Sequence, residues 1–325
     1  MADLRRSGPT WGIVSTIKAG TQDILDFAAH HLELGAHRLY IYLDDPDPQT
    51  IAALRPHPKV RVIACDEAHW AKRGKRPDAH QSRQTQNATR TYRRPAEVDW
   101  LAHIDGDEFL WPETSVTEAL AALPPDIHVA RVRPLEALAP TEPDPHAPAV
   151  CFKGMPILHE ARGTVTAALY PEFAALIDDG FLSHVAGKLL VRTGLPGPRF
   201  RIHNFSSDGE KNPGQVELES VPLLHLHAES WEAWRARFDY RHAHGAYRAS
   251  LERKGPTGLN LHEFFSALIE SEGEAGLRRF YETLFRATPQ HCAALRELGL
   301  LRIEDLDLAA KRSRHFPQWA GADRK

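Results

Sequence analysis

Cysteine and methionine are scarce: three and two, respectively, in 325 residues. Cys65, Cys151 and Cys292 are odd in number, lie far apart and form no Cys-x-x-Cys pair. This pattern argues against a disulfide framework and a cysteine zinc site, and fits a reducing cytoplasm. Long apolar runs are missing as well. None approaches the ~20 residues of a membrane span. The N-terminal stretch has an early arginine pair but no apolar core of signal-peptide length. No Gly-x-x-x-x-Gly-Lys-Ser/Thr loop occurs to support an NTPase. Charge of one sign is not in excess either. Forty Lys and Arg against 43 Asp and Glu leave a net charge of −3, so no global basic field points to nucleic acid.

What is present is ordinary for a globular chain: 42% hydrophobic and 26% charged residues. The length fits one large domain, or one domain with an appendage. Many prolines, alanines and arginines beside two methionines fit a GC-rich bacterial genome. No internal repeat is visible.

The first half alternates strand-like and helix-like segments. "WGIVSTIK" (Trp11 to Lys18) reads as a strand. In "TQDILDFAAHHLELG", Ile24, Leu25, Phe27, Ala28, His31, Leu32 and Leu34 recur at helical spacing, with Thr21 or Asp23 as cap and Gly35 as stop. "HRLYIYL", "KVRVIAC" and "VDWLAHI" are further strands, and a polar helix is expected over His80 to Arg94. This alternation argues for an α/β layer with a mostly parallel sheet. "EALAPTEPDPHAPAV" reads as a proline-rich loop, too polar for a core. Short strands follow, and from Ser230 the chain reads as helical. The expected division is a catalytic domain over 1–229 and a helical extension over 230–325.

The most informative stretch is "WLAHIDGDEFLWPE", Trp100 to Glu113. An apolar strand breaks into Asp105, Asp107 and Glu108. Crowded carboxylates repel one another and are costly to desolvate. Either a positive group offsets them or the turn is solvated. In open α/β sheets, ligands bind outside the carboxyl ends of strands. Gly106 would allow a sharp turn through positive φ, bringing both aspartates to one cation. Oxygen-only ligands suit Mg²⁺ or Mn²⁺. A solvated turn has the same composition, but the flanks "WLAHI" and "FLWP" imply that this one is embedded.

The order "HHLELGAHRLYIYLDD", "WLAHIDGDEFL", "GKLLVRTG" and "LLHLHAESWE" resembles the glycosyltransferase family 2-like proteins of GT-A fold, in the branch with a DxD metal motif. The resemblance covers roughly residues 11 to 240. It implies a metal-dependent transfer of a sugar from a nucleotide-sugar, UDP-linked by expectation, to a glycan, polysaccharide or other hydroxyl acceptor, with inversion favoured. Asp105 and Asp107 would hold Mn²⁺ or Mg²⁺. Lys18, Asp44 and Asp45 would face the nucleotide, and Lys188 a phosphate. His225 would complete the metal shell or touch the diphosphate, and His227, two residues on and on the same face if the strand continues, would join it as a metal ligand. Arg83, Gln86 and Asn87 are the residues of the polar helix expected to face inward, with Arg83 and Asn87 assigned to the donor. One departure stands out: Ala19-Gly20 replaces the family's usual Asn-Glu.

An inverting transfer needs a general base near the acceptor hydroxyl. Glu172, Asp178 and Asp179 are the candidates, and the sequence does not choose among them. Two rivals compete. One is a catalytically inactive nucleotide- or glycan-binding protein of the same fold. The other is a Toprim-like phosphoryl-transfer enzyme, with Asp44 or Glu67 as the additional acid. In the segment Trp231 to Lys254, Trp231, Trp234 and Phe238 form a stripe expected to pack inward. Arg235, Arg241 and Arg248 are candidates for an anionic acceptor or a peripheral contact at the inner face of the membrane.

Overall fold

The computed structural model describes residues 8–142, 149–177, 179–243, 245, 247, 249 and 259–319. The chain divides into two compact units. The first comprises Met1–Arg133, Ala186–Leu223 and Asp307–Lys325; the second comprises Pro134–Val185 and Leu224–Leu306. The expected division at residue 230 does not coincide with these boundaries, because the chain leaves the first sheet at Pro134, well before the helices begin.

The first unit is a mixed α/β layer. Its strands are β1 (Trp11–Ile17), β2 (Arg38–Leu43), β3 (Val60–Ala64), β4 (Trp100–His103), β5 (Val129–Val132), β6 (Lys188–Arg192) and β7 (Gln215–Glu217). They form one sheet in the order β7-β5-β6-β4-β1-β2-β3. The four strands from β4 to β3 are parallel, with Trp11 opposite Trp100 and Gly12 opposite Arg38. β6 runs antiparallel to β4 and β5. All seven residues of β1 are buried, as expected of a strand covered on both faces. The helices α1 (Thr21–Glu33), α2 (Pro48–Leu54), α3 (Glu67–Ala71) and α4 (His80–Tyr92) follow or link these strands.

The apolar stripe of α1 is buried from Ile24 to Leu32 as its spacing predicts, while Leu34 falls at the C-cap and is only half-buried. Its cap differs from expectation. Gly20 takes the cap position without a side-chain bond, and Thr21 instead meets Thr50 Oγ1 at 2.7 Å. Asp47 caps α2 through the Thr50 N–H at 2.7 Å. The helix Leu308–His315 also belongs to this unit and ties to α1 through the buried pair Arg312–Asp26.

The second unit has an antiparallel ladder in which Leu301–Asp305 pairs with Ala149–Lys153, which pairs with Pro134–Ala137. Two expectations fail here. "EALA", Glu136 to Ala139, was expected in a loop, yet all four residues are buried. The buried Glu136 carboxylate pairs with buried Lys153 at 3.2 Å, which removes the polarity objection. Leu301–Asp305, expected as helix, is a strand because it completes that ladder. The helix Trp231–Ala243 buries Trp231, Trp234 and Phe238 among Phe265, Phe280 and Tyr281, as the stripe predicts. No helix among the described residues is long and apolar enough to cross a membrane.

Candidate functional site

β4 ends at His103, and the chain turns through Asp105, Gly106 and Asp107 before the short strand Glu108–Leu110. The turn is closed reciprocally. The Asp105 N–H donates to Glu108 Oε2 at 2.8 Å, and the Glu108 N–H donates to the Asp105 carbonyl at 3.2 Å. Gly106 is required, but not for the expected reason. Its φ is not in the left-handed region. A Cβ there would stand 2.7 Å from Ile17 Cγ2, so glycine lets the turn lie against the end of β1.

The positive group that offsets the carboxylates is Lys188. Its Nζ donates to Asp105 Oδ2 at 2.7 Å and lies 3.5 Å from Glu108 Oε2. The side chains of Lys188 and Glu108 are fully buried, while that of Asp105 is 27% exposed. Register explains the meeting. His103 pairs with Leu189 across the antiparallel ladder, which brings Lys188 beside the end of β4. Gly187, with φ of +66°, makes the entry possible, since a Cβ there would sit 1.9 Å from the Val132 carbonyl oxygen. Burial opposes the charge on Lys188. The carboxylates of Asp105 and Glu108 overcome that and raise its pKa above the ordinary lysine value. Gln84 Nε2 donates to Asp105 Oδ1.

His103 is buried beneath this turn, its ring edge-on to Phe200. Burial, helped by the Lys188 charge, pushes its pKa down to about 4. The imidazole is therefore neutral at pH 7.

Asp44 ends β2 with no exposed surface. Arg83 grips it with both prongs at 2.7 Å. Arg76 and His80 add contacts at 3.1 and 3.2 Å. Burial pushes the Asp44 carboxyl up, but hydrogen bonds from His80 and Arg83 and their charges hold it well below the usual carboxylate range. Asp44 and Arg83 thus hold each other in place. Lys18 and Asp45 remain exposed and stand 3.9 Å apart. Asn87 donates to Thr16 Oγ1 at 3.1 Å and meets His69 at 3.3 Å. Gln86, expected to face inward, is exposed, and Gln84 is buried in its stead. The buried face is Gln84, Asn87, Ala88 and Thr91, a regular i, i+3, i+4, i+7 stripe that the sequence displays. Gln84, Arg76, His80 and His103 were not singled out by sequence.

The remaining candidates belong to the second unit. His225 and His227 have ring centroids 5.0 Å apart, and His184 lies 5.7 Å from His225. Burial and the Arg241 charge push His227 well below the ordinary histidine value. Glu172 pairs with Arg279, and Asp179 with Arg162 at 3.1 Å. Asp178 and Arg248 lie outside the described residues. Arg235 pairs with Asp239 at 2.9 Å, and Arg241 lies 3.4 Å from His227 Nε2.

The first unit also contains a cavity of about 680 Å³ beside α4. Arg73, Arg90, Arg93, Arg199 and Arg201 line it, with Phe200 among them.

No protein-family model matches the chain. No curated protein matches it either. Among solved structures, the apo structure of WbbM, a bifunctional glycosyltransferase, is similar over 59% of this chain at 11% identity, with a TM-score of 0.28. The aligned part is 32% of that chain, so this chain spans about a third of its length. A likeness of this size supports no inference about chemistry. The class defined by the structure is a mixed α/β protein with a seven-stranded sheet flanked by helices.

Proposed function

We propose that the protein is a divalent-cation-dependent glycosyltransferase that takes a sugar from a nucleoside-diphosphate donor. The observation that carries this reading is the embedded acidic turn. Asp105, Asp107 and Glu108 gather directly after β4, with the Lys188 ammonium 2.7 Å from Asp105 and 3.5 Å from Glu108. An α/β sheet presents its ligand site at the carboxyl ends of its strands. Carboxylate oxygens fit a hard divalent ion. Asp105 and Asp107 would hold it, and when bound it would neutralise charge developing on a departing diphosphate.

The chain's own residues organise that site. Lys188 and Gln84 fix the Asp105 carboxylate from two sides, so the turn is oriented before any ligand arrives. His103 stays neutral beneath it and adds no competing positive charge. Lys18, exposed at the end of β1, is available to a phosphate. Calorimetric titration of UDP with Mn²⁺ tests the reading. Asp107→Ala should abolish the Mn²⁺-dependent part of UDP binding and leave the unfolding midpoint of the protein within a few degrees of wild type. An unchanged Mn²⁺-dependent component of UDP binding in that variant would overturn the proposal, as would UDP binding by wild type with no Mn²⁺-dependent component. Hydrolysis or transfer assays with UDP-sugars then separate an enzyme from a binding protein.

A further inference from the structure

The cavity beside α4 presents five guanidinium groups from three separate segments. Arg73 follows α3, Arg90 and Arg93 lie on the last turn of α4 and its cap, and Arg199 opens a two-residue strand that Arg201 directly follows. Their convergence is built in. The Phe200 N–H donates to Thr89 Oγ1 at 2.9 Å, and the Phe200 ring packs edge-on against Tyr92. Phe200 is buried, so the alternation of an extended chain turns Arg199 and Arg201 together to the other side. Arg93 Nη2 donates to the Pro198 carbonyl at 3.2 Å, which ties the hairpin to the helix end.

Among the described residues lining the cavity there is no Asp or Glu. Arg73 Nε and Nη1 are buried and have no hydrogen-bond partner. Burial and the nearby Arg90 charge push the Arg73 pKa below the ordinary arginine value. A buried guanidinium edge without acceptors is costly, and the cost disappears when an anion supplies them. Guanidinium forks match phosphate oxygens two at a time. One phosphate occupies one or two such forks; five forks call for several anionic groups. The volume lies within the range of small-molecule sites, about 300–1,000 Å³.

We propose that this cavity binds a ligand carrying two or more phosphate groups, and does so without a divalent cation. It does not include Asp105, Asp107 or Lys188 among its lining residues, so it is separate from the acidic turn and stands whether or not that turn holds a metal.

The test is calorimetric titration of the whole chain in EDTA with tripolyphosphate, orthophosphate and UTP. The expected result is saturable one-to-one binding of tripolyphosphate, at least tenfold tighter than orthophosphate. The tighter of tripolyphosphate and UTP identifies the source as a free phosphate chain or a nucleotide. Arg90→Gln/Arg199→Gln, which changes two exposed side chains, should weaken tripolyphosphate at least tenfold with an unchanged melting curve. Arg73→Gln should weaken it similarly, and Arg73→Lys should restore less than half of the loss in binding free energy, because the fork is gone. Asp107→Ala should bind like wild type. Absence of saturable binding, equal affinity for orthophosphate, wild-type affinity in both arginine variants, or loss of binding in Asp107→Ala would each overturn the proposal.

Discussion

Lys188 explains how three carboxylates can follow an apolar strand. A lysine with no exposed surface is expensive unless its charge is matched. Here Asp105 accepts its hydrogen bond at 2.7 Å and Glu108 lies 3.5 Å away. The same pairing makes the lysine indispensable to the turn. Lys188→Met keeps the length of the side chain and removes its charge. Glu108, equally buried, then loses its close cation. Breaking a buried pair from one side costs about 3–5 kcal/mol, so the variant should be destabilised by about that amount at pH 7. The loss should shrink toward pH 4 as the carboxylates take up protons. Mn²⁺ should recover part of it, because its charge would stand in for the ammonium that the variant lacks. Urea unfolding at both pH values, with and without Mn²⁺, checks this. A variant within 1 kcal/mol of wild type at pH 7 would show that Lys188 is not the counter-charge.

At the level of elements, the turn after β4 is shaped by contact rather than by backbone freedom. Gly106 faces the Ile17 side chain, and an added Cβ would meet Cγ2 at 2.7 Å. Gly106→Ala should therefore cost about 1–3 kcal/mol, the usual range for overpacking. In an Ile17→Ala background the clash is removed and the further cost of Gly106→Ala should fall below about 0.5 kcal/mol. This coupling is what a double-mutant cycle measures; additive effects would point to backbone strain instead. The example shows what sequence made legible. The acidic turn, the strand before it, and the apolar stripes of α1 and Trp231–Ala243 follow from local periodicity. The partner of the turn does not, because Lys188 lies 83 residues away and arrives through the register of an antiparallel strand. Asp44 shows the same limit. Its position after a strand is legible, while its partner Arg83, on α4 and 39 residues later, is not. In "EALA" the missing fact was Lys153, whose charge allows Glu136 to be buried.

Across the whole molecule, one electrostatic theme recurs: histidines buried in their neutral form. Burial pushes His31 down to about 3 and His103 down to about 4. His30 in the first unit and His227 in the second are lowered in the same direction, again chiefly by burial. The sign of the pH effect follows. In the unfolded chain these groups take up protons near pH 6.5, while the folded chain refuses them until far lower pH. Below about pH 6.5 the unfolded state binds more protons, so stability falls as pH falls. Each such group contributes a slope approaching about 1.4 kcal/mol per pH unit once the pH is well below 6.5. Carboxylates in the unfolded chain titrate near pH 4, so the window from pH 7.5 to 5.5 isolates the histidines. Urea unfolding in that window should show stability nearly constant from pH 7.5 to 7 and falling steadily by pH 5.5. Because the chain has two compact units, the midpoints of any separate transitions should be followed individually. His103→Gln removes one titrating group and should make the decline shallower for the transition of the first unit. A stability profile that is flat down to pH 5.5 would mean that these imidazoles are protonated as easily in the fold as in the open chain, and their burial would then have to be far less complete than the packing of β4 and α1 implies.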